Sequence, residues 1–129
     1  MMNKEIKTTK APPPFSNYAQ AVATPANARC LYVSGQVGIT ANGDLPDDPA
    51  KQHELAWENI FAILAADGMD ITDIVDVLAI VTDHEQVPTY RIIRDKMLGQ
   101  HKCASTLLVC GLADPKWKVE IAVKAAKTD

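Results

Sequence analysis

The chain has 129 residues, of which 47% are hydrophobic and 22% charged, and its formal net charge at pH 7 is −3. This length favours a single domain over residues 1–129, and the composition is ordinary for a globular protein. Acidic residues outnumber basic ones, and the sequence shows no basic patch that would bind the phosphate backbone of a nucleic acid. A nucleic-acid partner is therefore not expected.

Signals for a cofactor or a membrane are absent from the sequence. The chain has three cysteines, Cys30, Cys103 and Cys110. An odd number of cysteines without C-x-x-C spacing argues against a disulfide framework or a zinc site. The histidines are scattered, so no metal is expected. No apolar run approaches the roughly 20 residues that span a bilayer, and the N-terminus has no hydrophobic signal core. We expect a cytoplasmic protein with free thiols, no cofactor and no membrane association.

Short strands are predicted in the first third of the chain. Residues 4–8 can form an edge strand, whereas consecutive prolines hold residues 10–14 extended, because proline has no backbone donor. Residues 19–24 and 29–33 are two further strands. The turn signal at residues 25–28 predicts that these two strands form an antiparallel hairpin.

An amphipathic helix is predicted next. Asp48 is a preferred N-cap residue, Pro49 suits the first helical position, and Gly68 is a candidate C-terminal cap. Apolar residues recur between them at helical spacing and predict one buried stripe. The stripe consists of Trp57, Ile60, Phe61, Leu64 and Ala65. His53 lies off this stripe, so we expect its side chain in solvent.

A strand and a second helix follow. Residues 74–82 are the most apolar segment, which predicts a central strand. The second helix is predicted to begin with Pro88 at its first position and to end at Gly99. Its buried face is predicted to contain Tyr90, Ile93 and Met97.

The C-terminal part predicts two more strands, at residues 104–109 and 117–123. The second strand alternates apolar and polar residues, so one face should contact a core while the other carries Lys118, Glu120 and Lys124. The whole order is β-β-β-α-β-α-β-β, which predicts an α+β fold with two helices on one face of a six-stranded mixed sheet. Two helices cannot cover all the apolar strand residues, so the opposite face should be buried between subunits.

Several motifs resemble those of the RidA family, also called the YjgF/YER057c/UK114 family. The run at residues 33–36, V-S-G-Q, follows a strand, as hydrophobic-x-Ser-Gly-Gln does in that family. Tyr18 and Gln20 match its N-terminal Pro-Tyr-x-Gln pattern. Further matches to its C-terminal signature are Ala104, Leu108, Gly111 and residues 119–121.

This resemblance implies a chorismate mutase-like fold and a homotrimer with small-molecule clefts between subunits. Active family members hydrolyse reactive enamines and imines such as 2-aminoacrylate. A signature Arg binds the substrate carboxylate through its planar fork, while backbone groups and a Glu position water. Carried over by position, the catalytic candidate is Glu120. The ligand-binding candidates are Tyr18, Ser34, Gly35, Gln36, Arg91, Ser105 and Thr106.

The chain departs from the family pattern at two of these positions. Ser105 stands where active members carry the Arg, and Ala122 stands where many carry a second Glu. A neutral Ser cannot make the paired, charge-assisted hydrogen bonds that an Arg makes with a carboxylate. The loss of these bonds should weaken carboxylate binding by about 2–5 kcal/mol. The alternative cations are Lys102, Lys118 and Arg91, among which the sequence does not choose.

Three functions are compatible with this pattern. The first is hydrolysis of a C–N bond in an imine or enamine other than 2-aminoacrylate. The second is a non-catalytic, ligand-binding or chaperone-like trimer. The third is the endoribonuclease or translation-inhibitor activity attributed to the family, which the acidic charge disfavours.

Overall fold

The computed structural model describes residues 2–129, in which six strands and two α-helices follow the order expected from the sequence. The helices are α1 (Pro49–Ala66) and α2 (Gln86–Leu98), and a 3-10 turn (Ile71–Asp73) precedes the fourth strand. The strands are β1 (Lys4–Ile6), β2 (Ala21–Ala23), β3 (Arg29–Val37), β4 (Ile74–Val81), β5 (Ala104–Val109) and β6 (Val119–Lys127).

The strands form two sheets, which corrects the single six-stranded sheet predicted from the sequence. β3, β6, β4 and β5 lie side by side in that order, with β4 and β5 parallel and the other neighbours antiparallel. β1 pairs with β2 in a separate two-stranded sheet. The predicted hairpin of residues 19–24 with 29–33 is therefore wrong. β3 instead pairs with the longer and more buried β6, because that pairing completes the core.

Both helices pack against the four-stranded sheet and enclose the hydrophobic core, so the domain is α+β. Val119, Ile121 and Val123 of β6 are buried in this core, and the intervening residues point to the other side. We call that other side the outer face of the sheet. It carries the exposed large side chains Tyr32, Leu78 and Leu108. The alternation predicted for the last strand is confirmed, although the strand begins at Val119 rather than at residue 117.

The helix ends follow local capping chemistry. The Asp48 side chain accepts a hydrogen bond from the Ala50 backbone N–H at 3.0 Å, and Pro49 is the first helical residue, as predicted. Gly68 follows α1 with a φ of +70°, a value that favours glycine. α2 begins at Gln86, two residues before the predicted Pro88, and Gly99 ends it with a φ of +60°.

The buried faces of both helices differ from the predicted stripes. In α1, Phe61 is half-buried and Ala65 is exposed, whereas His53 is fully buried, so its predicted position in solvent is wrong. The His53 ring lies 6.0 Å from the Tyr90 ring of α2, because α2 covers this side of α1. In α2, Tyr90 and Ile93 are buried as predicted and Met97 is half-buried. Arg94, which the apolar pattern omitted, is also buried.

Candidate functional site

A β-bulge brings several of the candidate residues together. The pairing of β3 with β6 shifts register between Val33 and Gln36, which places Ser34 and Gly35 in the bulge. A Cβ atom added to Gly35 would lie 2.8 Å from the Glu120 carboxyl carbon, closer than real Cβ atoms approach other groups. The missing side chain of Gly35 therefore leaves the space that the Glu120 carboxyl group occupies.

Side-chain amides donate hydrogen bonds to backbone carbonyl groups in and just after this bulge. The Gln36 side chain donates from Nε2 to the Ser34 carbonyl at 3.1 Å. Asn59 of α1 donates from Nδ2 to the carbonyls of Val37 and Ile39, at 3.2 and 2.8 Å. A surface pocket of about 420 Å³ lies between this part of β3 and α1, and Gly35 and Gln36 line it. Glu120, on the outward-facing side of β6, is not among the residues that line this pocket.

A second group forms at the start of β5. Ala19 donates its backbone N–H to the Cys103 carbonyl at 2.9 Å and forms an isolated bridge with Ala104. This contact sets Tyr18 next to the strand that carries Ser105. The Tyr18 hydroxyl accepts a hydrogen bond from the Phe15 backbone N–H at 3.1 Å.

The two groups lie apart within one chain. Glu120 pairs with Ile80 of β4, whose partner in β5 is Leu108, three residues beyond Ser105. Ser105 pairs with Val77, which points into the core, so Ser105 faces the helices while Glu120 faces outward. The order of the strands also puts β3 and β5 at opposite edges of the sheet.

The remaining two candidates belong to neither group. Thr106 faces outward beside Leu78 and Ala122, in a shallow pocket of about 290 Å³ on the outer face. Arg91 is exposed on α2, one residue after the buried Tyr90.

Arg94 is the cation that the sequence reasoning did not consider for the site. Its guanidinium donates from Nε and Nη2 to Asp95 Oδ1, at 3.1 and 3.0 Å, and from Nη1 to Ser16 Oγ at 3.2 Å. Asn17 donates to the other Asp95 oxygen at 3.0 Å. This network ties the segment before Tyr18 to α2 and matches the Arg94 charge with a carboxylate. In the sequence, Arg94 could have been recognised by its position four residues after Tyr90, which puts both residues on the same face of the helix.

Two other forms of chemistry find little support in the described part of the chain. Burial raises the pKa of Cys103 to about 12, so its thiol stays protonated at neutral pH and is a poor nucleophile. Across residues 2–129, no three His, Cys, Asp or Glu side chains are grouped to hold a metal ion.

Over the same residues, no helix combines the length and apolar character needed to cross a membrane.

Known proteins resemble the chain over most of its length. The family model described as Endoribonuclease L-PSP matches residues 8–127. TdcF of Escherichia coli is 30% identical over 132 residues, which cover 97% of this chain and 100% of TdcF. The 2-iminobutanoate/2-iminopropanoate deaminase of Rattus norvegicus is 36% identical over 85 residues, which cover 64% of this chain and 60% of the rat protein. The crystal structure of YyfB from Yersinia pestis, a Rid-family protein, superposes with a TM-score of 0.85 at 26% identity, covering 98% and 100% of the two chains.

Proposed function

This chain belongs to the RidA (YjgF/YER057c/UK114) family, and on that basis we propose that it hydrolyses the C–N bond of a small imine or enamine in a cleft between subunits. The observation that carries the proposal is the Glu120 carboxyl group, set into the space beside Gly35. The rat relative's description as an imine deaminase supports the reaction type.

In the proposed reaction, the Glu120 carboxylate accepts a proton from a water molecule. The water oxygen bonds to the imine carbon while Glu120 passes the proton to the imine nitrogen, which gives a carbinolamine. Its hydroxyl proton then passes through Glu120 to the nitrogen as the C–N bond breaks, and the products are a carbonyl compound and ammonia. An enamine first takes a proton on carbon and loses one from nitrogen to become the imine. Imines hydrolyse readily, so orientation and one acid–base group supply the needed acceleration.

The test is ammonia release from enzymatically generated imines without a carboxylate, measured with and without the protein. We expect acceleration by the wild type and a loss of at least about tenfold in Glu120→Gln, because the amide cannot accept the proton. Glu58→Gln, at an exposed position on α1, is the matched control and should keep the wild-type rate. Binding without turnover across the panel would contradict hydrolysis and favour the non-catalytic alternative.

The cleft is proposed to form between the chains of a homotrimer. The bulge that packs against Glu120 belongs to the edge strand β3, and Ser105 belongs to the opposite edge strand β5. Head-to-tail association of three chains would set the bulge of one chain beside Ser105 of the next. Exposed apolar side chains on the outer face, with Tyr32 at 73% and Leu108 at 45% exposure, are also consistent with a covered surface. Light scattering should therefore give three times the chain mass of 14.0 kDa. A mass equal to that of one chain would contradict the trimer.

The substrate is proposed to differ from 2-aminoacrylate, because Ser105 offers no guanidinium to a carboxylate. We expect no acceleration of ammonia release from an enzymatically generated 2-imino acid. Ser105→Arg should introduce carboxylate binding with little turnover, since Ala122 lacks a carboxylate as well. Acceleration by the wild type would show that another cation takes the anchoring role, and Ala substitutions at Lys102, Lys118 and Arg91 would identify it.

A further inference from the structure

A surface cavity at the two-stranded sheet is separate from the group around Glu120. It has a volume of about 400 Å³ and lies between β1, the prolines that follow β1 and the residues just before β5. The pocket beside the bulge of β3 is lined by other residues. We call this space the N-terminal cavity, and its lining includes Glu5, Lys7, Pro13, Pro14, Gln20 and Lys102.

The wall of the N-terminal cavity is held in shape by one side chain. Gln20, just before β2, accepts at Oε1 a hydrogen bond from the Thr8 backbone N–H at 2.7 Å. Its Nε2 donates to the carbonyls of Thr8 and Pro12, at 3.1 and 2.8 Å. Pro13 and Pro14 follow, and their rings fix φ. The cavity is therefore formed before a ligand arrives, so binding spends little free energy on ordering its wall.

The charged side chains around the N-terminal cavity are not balanced. Lys7 and Lys102 each carry an ammonium group, whereas Glu5 carries the one carboxylate among the lining residues. The lining thus has an excess of one positive charge, in a chain whose formal net charge is −3. Because a concave surface focuses the field of its charges, this excess attracts an anion. The rings of Pro13 and Pro14 and the methylene stems of the two lysines add apolar walls.

We propose that the N-terminal cavity binds an organic monoanion with an apolar body, of the class of aromatic carboxylates. The carboxylate pairs with the ammonium groups of Lys7 and Lys102, and the ring covers Pro13 and Pro14. A monoanion matches the single excess charge of the lining, and a cavity of this volume accepts a small molecule of one ring. This binding site is additional to the proposed hydrolysis and does not depend on it.

The experiment titrates the full-length, isotope-labelled protein with benzoate and follows the backbone amide signals by NMR. We expect a dissociation constant of about 1 mM or lower, with the largest shifts at Thr8, Gln20 and Lys102. Benzamide has nearly the same shape without the charge, and acetate has the charge without the ring. Each should bind at least about tenfold more weakly than benzoate, because each lacks one of the two features that the cavity matches.

Substitutions at the charged lining residues should change the affinity in opposite directions. Lys7→Gln and Lys102→Gln should each weaken benzoate binding by about fivefold, which is the effect of losing one exposed ion pair. Glu5→Gln should strengthen binding by about the same factor, because it removes a negative charge from the lining. Lys10→Gln is the matched control. Lys10 is exposed in the same segment and does not line the cavity, so this variant should bind as the wild type does.

Several results would overturn the proposal. They are the absence of saturable benzoate binding, equal affinities for benzoate and benzamide, and unchanged or weaker binding in Glu5→Gln. Signal changes confined to the residues around Glu120 would also overturn it, because benzoate would then occupy the other site. None of these measurements requires turnover of an imine, so failure of the proposed hydrolysis and failure of this binding site are distinguished.

Discussion

Replacing Gly38 with Ala is expected to destabilise the protein by about 3 kcal/mol or more. Gly38 is buried just after β3, where the chain crosses α1, and an added Cβ would lie 2.7 Å from the backbone carbonyl carbon of Gln52. α1 cannot easily move away. The Gln52 side chain donates to the Pro46 carbonyl at 2.9 Å and accepts from the Lys118 N–H at 2.9 Å. A shift of the helix would strain these buried bonds, and each contributes about 0.5–1.5 kcal/mol.

The measurement is urea unfolding of Gly38→Ala followed by circular dichroism. Gly111→Ala is the matched control, because no described atom lies within 4 Å of its added Cβ. The control should stay within about 0.5 kcal/mol of the wild type. If Gly38→Ala unfolds at the same urea concentration as the control, the close approach of β3 and α1 is wrong.

Acid is expected to weaken the fold through His53. Burial lowers the pKa of His53 from 6.5 to about 4 in the folded chain, whereas the unfolded chain keeps the ordinary value. Between these two values the unfolded chain binds more protons, so stability is full above pH 6.5 and falls as the pH drops toward 4. The contribution of His53 to this loss should be about 2 kcal/mol between pH 7 and pH 5.

Urea unfolding at several pH values tests this expectation. In His53→Leu the loss of stability between pH 7 and pH 5 should become smaller by that amount, because Leu does not titrate. Neither ring nitrogen of His53 has a hydrogen-bond partner within residues 2–129, so Leu should also be tolerated at neutral pH. His84→Gln, at an exposed position, serves as the control and should keep the wild-type slope. Parallel curves for the wild type and His53→Leu would contradict the assignment.

The sequence predicted the local features of the fold well, because those features depend on neighbouring residues. Asp48 and Pro49 mark the start of α1 through short-range hydrogen bonding, and Gly99 ends α2 through its backbone conformation. Strand partners depend on distant segments, so the turn at residues 25–28 suggested a hairpin that β6 prevents. His53 shows a related limit. A polar residue off the apolar stripe is assigned to solvent, although a second helix covers it in the fold.

For the candidate site, the motifs identified residues but not their arrangement. The Ser-Gly-Gln motif and Glu120 converge because β3 pairs with β6, and that register is not encoded in either motif alone. Ser105 faces the helices at the other sheet edge, which only the parallel pairing of β4 with β5 reveals. Arg94 was missed because periodicity arguments count apolar residues, and its burial depends on Asp95 and Ser16.

The position of β6 between β3 and β4 has a consequence for synthesis on the ribosome. β6 is made after the strands that it joins, and it links the two halves of the sheet with pairs as far apart in sequence as Arg29 and Lys127. Until it emerges, β3 and β4 each have an open edge with no partner between them. Such edges favour aggregation, and the long sequence separation slows closure. A nascent chain of this protein therefore keeps two unpaired strand edges until β6 has been made, and these edges can pair with other nascent chains on the same polysome.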